Sequence, residues 1–307
     1  MDKRDFFLYL LLEKETLKFQ PVINKSDKRQ MNMADIAVIA LDMDGTLLTS
    51  EHSVTPETID ALHQARSKGI EVILVTGRHH MMASPTHHQL GLDTPLICAN
   101  GAYIFDAQTE QITTGKPLQN WQWQHLLPLI ESLKLDAICH FSDGIGHQPD
   151  NEHILKIKNN LCSLLSGLKP YPHFIEHASL STLCETHTPL WKIELSHATA
   201  QGIDNFIAAL PEGLEINYDR TAPNGLEIVN TGNSKGNRLA EWVMTRGIDL
   251  EQVIAFGDNH NDISMFQKVG LGVAMGNATP EVQQYADFVT CSNDDSGIAS
   301  ALHRWVL

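Results

Sequence analysis

Short apolar runs alternate with amphipathic segments in the first third of the chain. The runs Ile36–Leu41, Val72–Val75 and Leu96–Ala99 are typical of buried parallel strands, which are covered on both faces. The segments between them, about 56–68 and 78–90, have helical spacing and end at glycines. This part of the sequence therefore predicts strands that alternate with helices.

The same alternation returns near the C-terminus. Helical patterns at 239–245 and 263–269 flank the apolar run Val253–Phe256, and shorter runs follow at 272–274 and 288–290. Strands alternating with helices imply right-handed βαβ units and a parallel sheet. The sequence therefore predicts an α/β fold with a Rossmann-like parallel-sheet core.

Between these halves the pattern changes. Several tryptophans and histidines occur there, and the segments Trp191–Leu195 and Leu226–Val229 alternate with period 2. This pattern indicates an α+β cap domain inserted into the core. For the first 33 residues, a non-essential extension is favoured over a short amphipathic docking helix. We expect three parts: an N-terminal extension at 1–33, the core at 34–116 and 230–307, and the cap at 117–229.

Composition limits the partners. Lys and Arg number 22 against 37 Asp and Glu, so the net charge is −15, which argues against a duplex-DNA surface. No apolar run reaches the roughly 18 residues of a membrane span. Five scattered cysteines without a C-x-x-C pair favour a reducing cytosol over a disulfide framework. We therefore expect a cytoplasmic protein that binds neither nucleic acid nor membrane, and the oligomeric state stays open.

The segment Asp42-Met-Asp-Gly-Thr46 directly follows the first strand. Asp42 and Asp44 project to the same side of an extended segment, and Gly45 lets the chain turn. The carboxyl end of a parallel strand is where ligands of open α/β sheets bind. The segment is thus a candidate site, and a solvated turn is the alternative.

A second acidic segment, Gly257-Asp-Asn-His-Asn-Asp262, follows another strand. If the two strands are neighbours, Asp258 converges on Asp42 and Asp44. Carboxylates packed together repel one another unless a cation lies among them, and oxygen ligands of this kind suit Mg²⁺. The sequence therefore predicts a magnesium site. The alternative, an exposed acidic loop, does not explain why both segments directly follow apolar strands.

Two further segments offer ligands to an anion. Thr76-Gly-Arg78 supplies a hydroxyl and main-chain N–H groups at a strand-to-helix turn, and Ser234-Lys-Gly236 supplies an ammonium group near the start of a later helix. Each segment alone is weak evidence, because threonine, glycine and lysine are ordinary loop residues.

In this order, the four motifs resemble the haloacid dehalogenase superfamily of phosphohydrolases, and within it the Cof-like branch with a type IIB cap. The resemblance of the core covers about 35–115 and 230–307. Asn100-Gly-Ala102 also resembles that branch. The stretches Thr76–His80 and Leu92–Pro95 are similar to bacterial pyridoxal-phosphate phosphatases of the same branch.

The resemblance implies a role for each acidic residue. Asp42 is expected to be the nucleophile that forms an aspartyl-phosphate, and Asp44 the general acid and base. Mg²⁺ is expected to be held by Asp42, by the main-chain carbonyl of Asp44 and by Asp258. Asp262 is expected to support this metal shell from behind.

The resemblance also implies that phosphoryl oxygens are held by the hydroxyl of Thr76, the N–H of Gly77, and the side chains of Lys235 and Asn261. The implied activity is Mg²⁺-dependent hydrolysis of small phosphomonoesters such as pyridoxal phosphate or sugar phosphates. Two alternatives stay open: a phosphomutase that uses the same aspartyl-phosphate, and a non-catalytic protein that binds a phosphorylated metabolite.

Three other features are interpreted from the pattern alone. The histidines around the second helix are expected to be exposed polar residues: His79, His80, His87 and His88. Lys192 alternates with apolar neighbours on a strand, so it either reaches the substrate or lies on a solvated sheet face. The segment from His140 to His147 is a candidate substrate-facing loop of the cap.

Overall fold

A computed structural model describes residues 20–21, 36–149, 151, 154 and 172–307 of the chain. The strands, in chain order, are β1 (Gln20–Pro21), β2 (Val38–Leu41), β3 (Glu71–Val75), β4 (Leu96–Cys98), β5 (Tyr103–Asp106), β6 (Gln111–Gly115), β7 (Asp136–Phe141), β8 (Ile145–His147), β9 (Phe174–Glu176), β10 (Leu190–Ser196), β11 (Ile216–Ala222), β12 (Gly225–Asn230), β13 (Val253–Gly257), β14 (Leu271–Ala274) and β15 (Phe288–Val289).

The α-helices are α1 (Pro56–Ser67), α2 (His80–Gln89), α3 (Asn120–Ser132), α4 (Leu180–Thr186), α5 (Ala200–Ala209), α6 (Lys235–Thr245), α7 (Ile263–Phe266), α8 (Pro280–Gln283) and α9 (Gly297–Trp305). Short 3₁₀ turns lie at Ala99–Gly101, Leu250–Gln252 and His260–Asp262. Every strand and helix that the apolar pattern predicts is present. The largest differences are at α6, which begins four residues earlier than expected, and at α7, which ends three residues earlier.

The described chain forms two compact units. The first unit comprises Met1–Leu74 and Leu239–Leu307, and the second unit is Val75–Arg238. These divisions differ from the core and cap limits expected from the sequence, which stay a prediction. The interpretation of the N-terminal extension falls mostly on residues outside the described ranges.

The first unit is built on a parallel sheet with the strand order β1-β15-β14-β13-β2-β3. All neighbouring pairs are parallel except β1 and β15. The strands β2 and β13 are fully buried, in agreement with their continuous apolar runs. Their register pairs Leu41 with Phe256, so both strands end at the same level of the sheet.

The helix α1 shows how local sequence sets an element. Thr55 is the N-cap, and its side chain accepts a hydrogen bond from the N–H of Thr58 at 3.3 Å. Pro56 occupies the first helical turn, where its missing N–H costs nothing. The helix packs against α9, and this arrangement agrees with the start predicted from the sequence.

The second unit contains two sets of strands. The strands β4, β5 and β6 are antiparallel. The other sheet has the order β11-β12-β10-β7-β8-β9 and is antiparallel apart from the pair β8 and β9. Apolar residues of α3, α4 and α5 form a buried core with this sheet. Strands with helices packed on them confirm the expected α+β character of the inserted segment.

Within the described ranges, no helix has both the length and the apolar character needed to cross a membrane.

Candidate active site

Asp42 lies immediately after β2, beside the end of β13. Its main-chain N–H donates a hydrogen bond to the carbonyl of Phe256 at 3.1 Å, and its side chain is buried. The chain then turns back, because the N–H of Leu47 donates to the carbonyl of Asp42 at 3.2 Å. Asp44 lies within this turn and is exposed. The parallel pairing of β2 and β13 therefore places Asp42 at the edge where the sequence predicts a site.

Gly45 and Thr46 bring this turn against Asp258. The hydroxyl of Thr46 donates to Asp258 Oδ1 at 2.9 Å. Gly45 has φ +75°, and a Cβ at this position would collide with the carboxylate of Asp258. The Gly-Thr pair is thus required both by the backbone conformation and by the close approach of the second acidic segment.

Asp262 organises that second segment from a fully buried position. Its Oδ2 accepts hydrogen bonds from the main-chain N–H of Asp258 at 2.9 Å and from that of Asn259 at 3.0 Å. A Cβ at Gly257 would collide with the side chain of Asp262. Asp262 therefore fixes the backbone that carries Asp258. Asn261 lies in the same 3₁₀ turn, directly before Asp262.

Three carboxylates of the first unit form what we call the acidic cluster: Asp42, Asp258 and Asp262. Each offers an oxygen atom, and these oxygens all lie within 4.8 Å of one another. Hard carboxylate oxygens at this spacing fit a divalent cation such as Mg²⁺. The side chain of Asp44 lies outside this group. The family resemblance implied a metal contact through its main-chain carbonyl, not its carboxylate, and this stays a prediction.

The predicted phosphate-binding turn in the second unit follows β3. The N–H of Thr76 donates to the carbonyl of Ile97 at 2.8 Å, and the N–H of Arg78 donates to Thr76 Oγ1 at 3.1 Å. The N–H groups of Ala99 and Asn100 donate to the carbonyls of Arg78 at 3.0 Å and Thr76 at 3.1 Å. The 3₁₀ turn at Ala99–Gly101 therefore holds this turn in place.

The same 3₁₀ turn also contacts the segment that carries Lys235. Gly101 has φ +81°, and a Cβ there would collide with the carbonyl oxygen of Ser234. Arg238, one turn into α6, donates from Nε to the carbonyl of Gly101 at 2.9 Å. Lys235 itself is buried. Three predicted phosphate ligands of the second unit therefore lie on segments held by Ala99–Gly101: Thr76, Gly77 and Lys235.

Lys192 is a residue whose environment the sequence did not reveal. It is 0% exposed, so a solvated sheet face is wrong. Its Nζ lies 2.6 Å from the carbonyl oxygen of Gly77, 2.6 Å from Glu227 Oε1 and 2.7 Å from Glu194 Oε1. Glu194 Oε1 also lies 2.8 Å from His140 Nε2. We call this group of four side chains the lysine network: Lys192, Glu194, Glu227 and His140.

A signal for this network was present in the sequence. Lys192 and Glu194 are two residues apart on β10, so they share one face of the sheet. Glu227 lies directly opposite Glu194 on β12. Polar residues on the same face of otherwise apolar strands indicate a buried network when the residues carry opposite charges.

The charges within the lysine network stabilise one another. Burial lowers the pKa of Lys192, but the carboxylates of Glu194 and Glu227 outweigh this effect and raise the pKa above its ordinary value. Burial raises the pKa of Glu194, but the neighbouring charges of Lys192 and His140 lower it well below its ordinary value. Lys192 and Glu194 are therefore both charged at neutral pH.

The histidines around α2 correct an expectation, because His79, His80 and His87 are buried and only His88 is exposed. His79 Nε2 donates to the carbonyl of Phe141 at 2.6 Å. His80 Nδ1 lies 3.0 Å from the hydroxyl of Tyr103. Burial, with a smaller contribution from His140, lowers the pKa of His80 to about 4. Burial also lowers the pKa of His79, so His79 and His80 are packed as neutral side chains.

The candidate substrate-facing loop of the cap is exposed only in its middle. His140 and His147, at its two ends, are buried. The side chain of Asp143 is exposed and accepts a hydrogen bond from His187 Nδ1 at 2.8 Å. Asp143 is thus the residue of this loop whose carboxylate is open to a ligand.

Asp42 and Asp258 directly follow two neighbouring strands of a parallel sheet, at the edge where open α/β sheets bind their ligands. Residues 39–302 match the haloacid dehalogenase-like hydrolases, so the chain belongs to that family. The chain is 34% identical over 270 residues to the pyridoxal phosphate phosphatase YbhA of Escherichia coli, covering 88% of this chain and 98% of that protein. It is 29% identical over 280 residues to YcsE of Bacillus subtilis, a 5-amino-6-(5-phospho-D-ribitylamino)uracil phosphatase. This match covers 91% of this chain and 99% of that protein.

Solved structures give the same assignment. A haloacid dehalogenase-like hydrolase from B. subtilis superposes with a TM-score of 0.77 at 27% identity, covering 89% of this chain and all of that one. A sugar phosphatase of HAD subclass IIB gives a TM-score of 0.73 at 25% identity, covering 87% and 98%. The resemblance stated from the motifs is confirmed, and the chain is a phosphatase.

Proposed function

We propose that this protein hydrolyses small phosphomonoesters with Mg²⁺, through an aspartyl-phosphate on Asp42. The acidic cluster carries the proposal, because its oxygens converge within 4.8 Å directly after two neighbouring strands. The names of the relatives make pyridoxal phosphate and sugar phosphates the first substrates to test.

The buried thiols Cys98, Cys139 and Cys184 are free, which supports a reducing compartment such as the cytoplasm.

In the first half-reaction a carboxylate oxygen of Asp42 attacks phosphorus, and the bond to the leaving oxygen breaks. Asp44 gives its proton to that oxygen, so the product leaves as a neutral alcohol. In the second half-reaction Asp44 takes a proton from water, which attacks the aspartyl-phosphate and releases inorganic phosphate. Asp44 is exposed beside the buried Asp42, and such proton transfer contributes roughly 10²–10⁴-fold.

The proposed metal ligands are Asp42, the main-chain carbonyl of Asp44 and Asp258. When bound there, Mg²⁺ supplies positive charge between the anionic Asp42 and the anionic phosphate. Asp262 keeps Asp258 in place through the two main-chain hydrogen bonds that its Oδ2 accepts. A buried carboxylate behind a metal ligand acts in this supporting way in many metal sites.

The proposed phosphate ligands are Thr76, the N–H of Gly77, Lys235 and Asn261. Lys235 is the first residue of α6 and is buried. The lower local dielectric there strengthens the attraction between an ammonium group and a phosphate. Positioning and neutralisation of charge are most of what phosphoryl transfer requires from a protein.

The test is a phosphate-release assay over pyridoxal phosphate, several sugar phosphates and acetyl phosphate, with Mg²⁺ and without any bisphosphate activator. We expect turnover of at least one metabolite, ranked by kcat/KM. If phosphate is not released, but a sugar phosphate is isomerised once a bisphosphate is added in a second assay, the protein would be a phosphomutase. Saturable binding without phosphate release would indicate a non-catalytic binding protein.

We further propose that the inserted segment 117–229 selects the leaving group. Within the loop from His140 to His147, the candidate for contacting the leaving group is Asp143, because its side chain is exposed whereas both ends of the loop are buried. In Asp143→Asn we expect the ranking of the metabolites to change by about 10-fold between the best and the next substrate, while hydrolysis of acetyl phosphate stays the same. A uniform decrease over all substrates would place Asp143 outside substrate selection.

A further inference from the structure

The lysine network reaches the predicted phosphate-binding turn directly. An ammonium group has three N–H donors, and three acceptors surround Nζ of Lys192 at 2.6–2.7 Å. One of them is the carbonyl oxygen of Gly77, and the other two are carboxylate oxygens. Lys192 therefore links two strands of the six-stranded sheet, β10 and β12, to the backbone of this turn.

The peptide between Gly77 and Arg78 is held on both sides. Its carbonyl accepts from Lys192 at 2.6 Å, and its N–H donates to Thr76 Oγ1 at 3.1 Å. Because a peptide group is planar, these two bonds fix its orientation. The hydroxyl of Thr76, a proposed phosphate ligand, is oriented by the same N–H.

The preceding peptide carries the N–H of Gly77, the other proposed ligand in this turn. The carbonyl of that peptide belongs to Thr76 and accepts from the N–H of Asn100 at 3.1 Å. The side chain of Asn100 in turn donates from Nδ2 to Glu227 Oε2 at 2.5 Å. The direction of the Gly77 N–H is therefore coupled through Asn100 to Glu227.

These groups pack closely around Gly77. A Cβ at this position would lie 2.9 Å from Asn100 Oδ1 and 3.6 Å from both carboxylate oxygens of Glu227. The first of these distances is shorter than real Cβ contacts, so a side chain there would displace Asn100. The turn and the two side chains therefore form one fitted arrangement.

We propose that Glu227 and Lys192 are positioning residues for the phosphate-binding turn Thr76–Arg78. Glu227 acts through Asn100, and Lys192 acts through the carbonyl of Gly77. This inference rests on the proposed function, which assigns Thr76 and the N–H of Gly77 to the phosphoryl group. Donors held in place before the substrate arrives are worth more than donors that must reorganise, and a misplacement of about 1 Å can cost roughly 10²-fold in rate.

Glu194 provides a matched control within the same network. Glu194 and Glu227 both bond to Nζ of Lys192, at 2.7 and 2.6 Å. Glu227 continues to Asn100, whereas Glu194 continues to His140. The substitutions Glu227→Gln and Glu194→Gln each remove one negative charge beside Lys192 and keep the shape. A glutamine cannot serve as acceptor at both oxygens of residue 227, so Glu227→Gln disrupts the bond to Lys192 or to Asn100.

The experiment measures competitive inhibition by inorganic phosphate, together with kcat, KM and Tm, for the full-length wild type and both variants. In Glu227→Gln we expect the inhibition constant of phosphate to rise by about 10-fold to 100-fold and kcat/KM to fall equally for every substrate. In Glu194→Gln we expect both quantities to stay within about threefold of the wild type. A merely structural role would lower Tm in both variants without this difference in phosphate affinity.

A second variant covers the case in which Glu227→Gln does not fold. Asn100 has φ +56°, so Asn100→Gly preserves the backbone while removing the side chain that Glu227 holds. We expect it to weaken phosphate binding in the same way. Positioning is contradicted if Glu227→Gln or Asn100→Gly folds and binds phosphate as the wild type does, or if both glutamine variants lose equal affinity. Absence of turnover by the wild type would instead contradict the proposed function.

Discussion

The acidic cluster and the lysine network both bring carboxylates close together, but the surroundings of these carboxylates differ. In the lysine network the cation is part of the chain, because Nζ of Lys192 lies within 2.7 Å of both glutamates. In the acidic cluster three carboxylates gather instead, and among their contacts Asp258 accepts a hydrogen bond from a hydroxyl and Asp262 accepts two from main-chain N–H groups. The first arrangement contains its own cation, and the oxygens of the second lie close enough together to hold a divalent cation.

This difference indicates which buried carboxylates take part in the reaction and which ones hold the structure. A carboxylate beside a buried lysine is already neutralised, and its removal mainly disturbs packing and orientation. Carboxylates whose oxygens gather within 4.8 Å repel one another. For Asp42 and Asp258, the proposed metal ligands, we therefore expect a substitution to affect function more than stability, whereas Asp262 also holds the backbone of its own segment.

The largest expected effect is on turnover. We expect Asp42→Asn to lower kcat by at least about 10³-fold, because the amide keeps the shape but loses the nucleophile and one charge for the metal. The variant should still fold, because the amide keeps the size and shape of the side chain. Asp60→Asn is the control, since Asp60 is exposed on α1. Activity above a thousandth of the wild type would show that another residue is the nucleophile.

The opposite outcome is expected in the lysine network. Lys192→Met leaves two carboxylates without their common cation, which should lower the free energy of unfolding by about 3 kcal/mol. Arg220→Met is the control, because the ion pair of Arg220 with Asp204 is exposed and such pairs contribute about 1 kcal/mol or less. Denaturant unfolding of both variants measures the difference. Equal losses would mean that burial does not distinguish the two pairs.

Metal affinity sharpens the comparison. We expect Asp258→Asn to weaken Mg²⁺ binding by about 10-fold to 100-fold, since a charged oxygen ligand becomes neutral. Calorimetric titration of the protein with Mg²⁺ measures this without any turnover, and Asp60→Asn again is the control. Glu227→Gln should leave Mg²⁺ affinity unchanged. If Asp258→Asn bound Mg²⁺ like the wild type, the acidic cluster would not be the metal site.

A smaller effect is expected from pH. The pKa of His80 is lowered from 6.5 to about 4 in the folded protein, so between these values only the unfolded chain binds the proton. Stability is therefore complete above pH 6.5 and is lost as the pH falls toward 4. From His80 alone we expect a loss of about 2 kcal/mol between pH 7.5 and pH 5.

The measurement compares denaturant unfolding at these two pH values. His80→Asn should reduce the pH dependence, whereas His88→Asn should not, because His88 is exposed. The pKa values of His79 and His140 are also lowered, chiefly by burial, and they act in the same direction. An unchanged pH dependence in His80→Asn would show that His80 is not buried as a neutral side chain.

The sequence by itself determined the strands of the sheet and the positions of the acidic segments. Continuous apolar runs identify buried parallel strands, and Asp42 and Asp258 directly follow two of them. These are local properties, because a strand and the residue after it are adjacent in the chain. The convergence of Asp42 and Asp258 needed one further assumption, that β2 and β13 are neighbours, and the sheet order confirms it.

Only the tertiary structure decided the state of the buried polar residues. His79 and His80 look polar in sequence, but they are buried, hydrogen-bonded to the carbonyl of Phe141 and the hydroxyl of Tyr103, and neutral. Lys192 meets Gly77, which is 115 positions away in the chain. The local pattern shows that a strand is buried, but it does not show which residues of other elements pair with a charged side chain on that strand. The physical reason is that the cost of burying a charge depends on its partner, and that partner is supplied by a distant part of the chain.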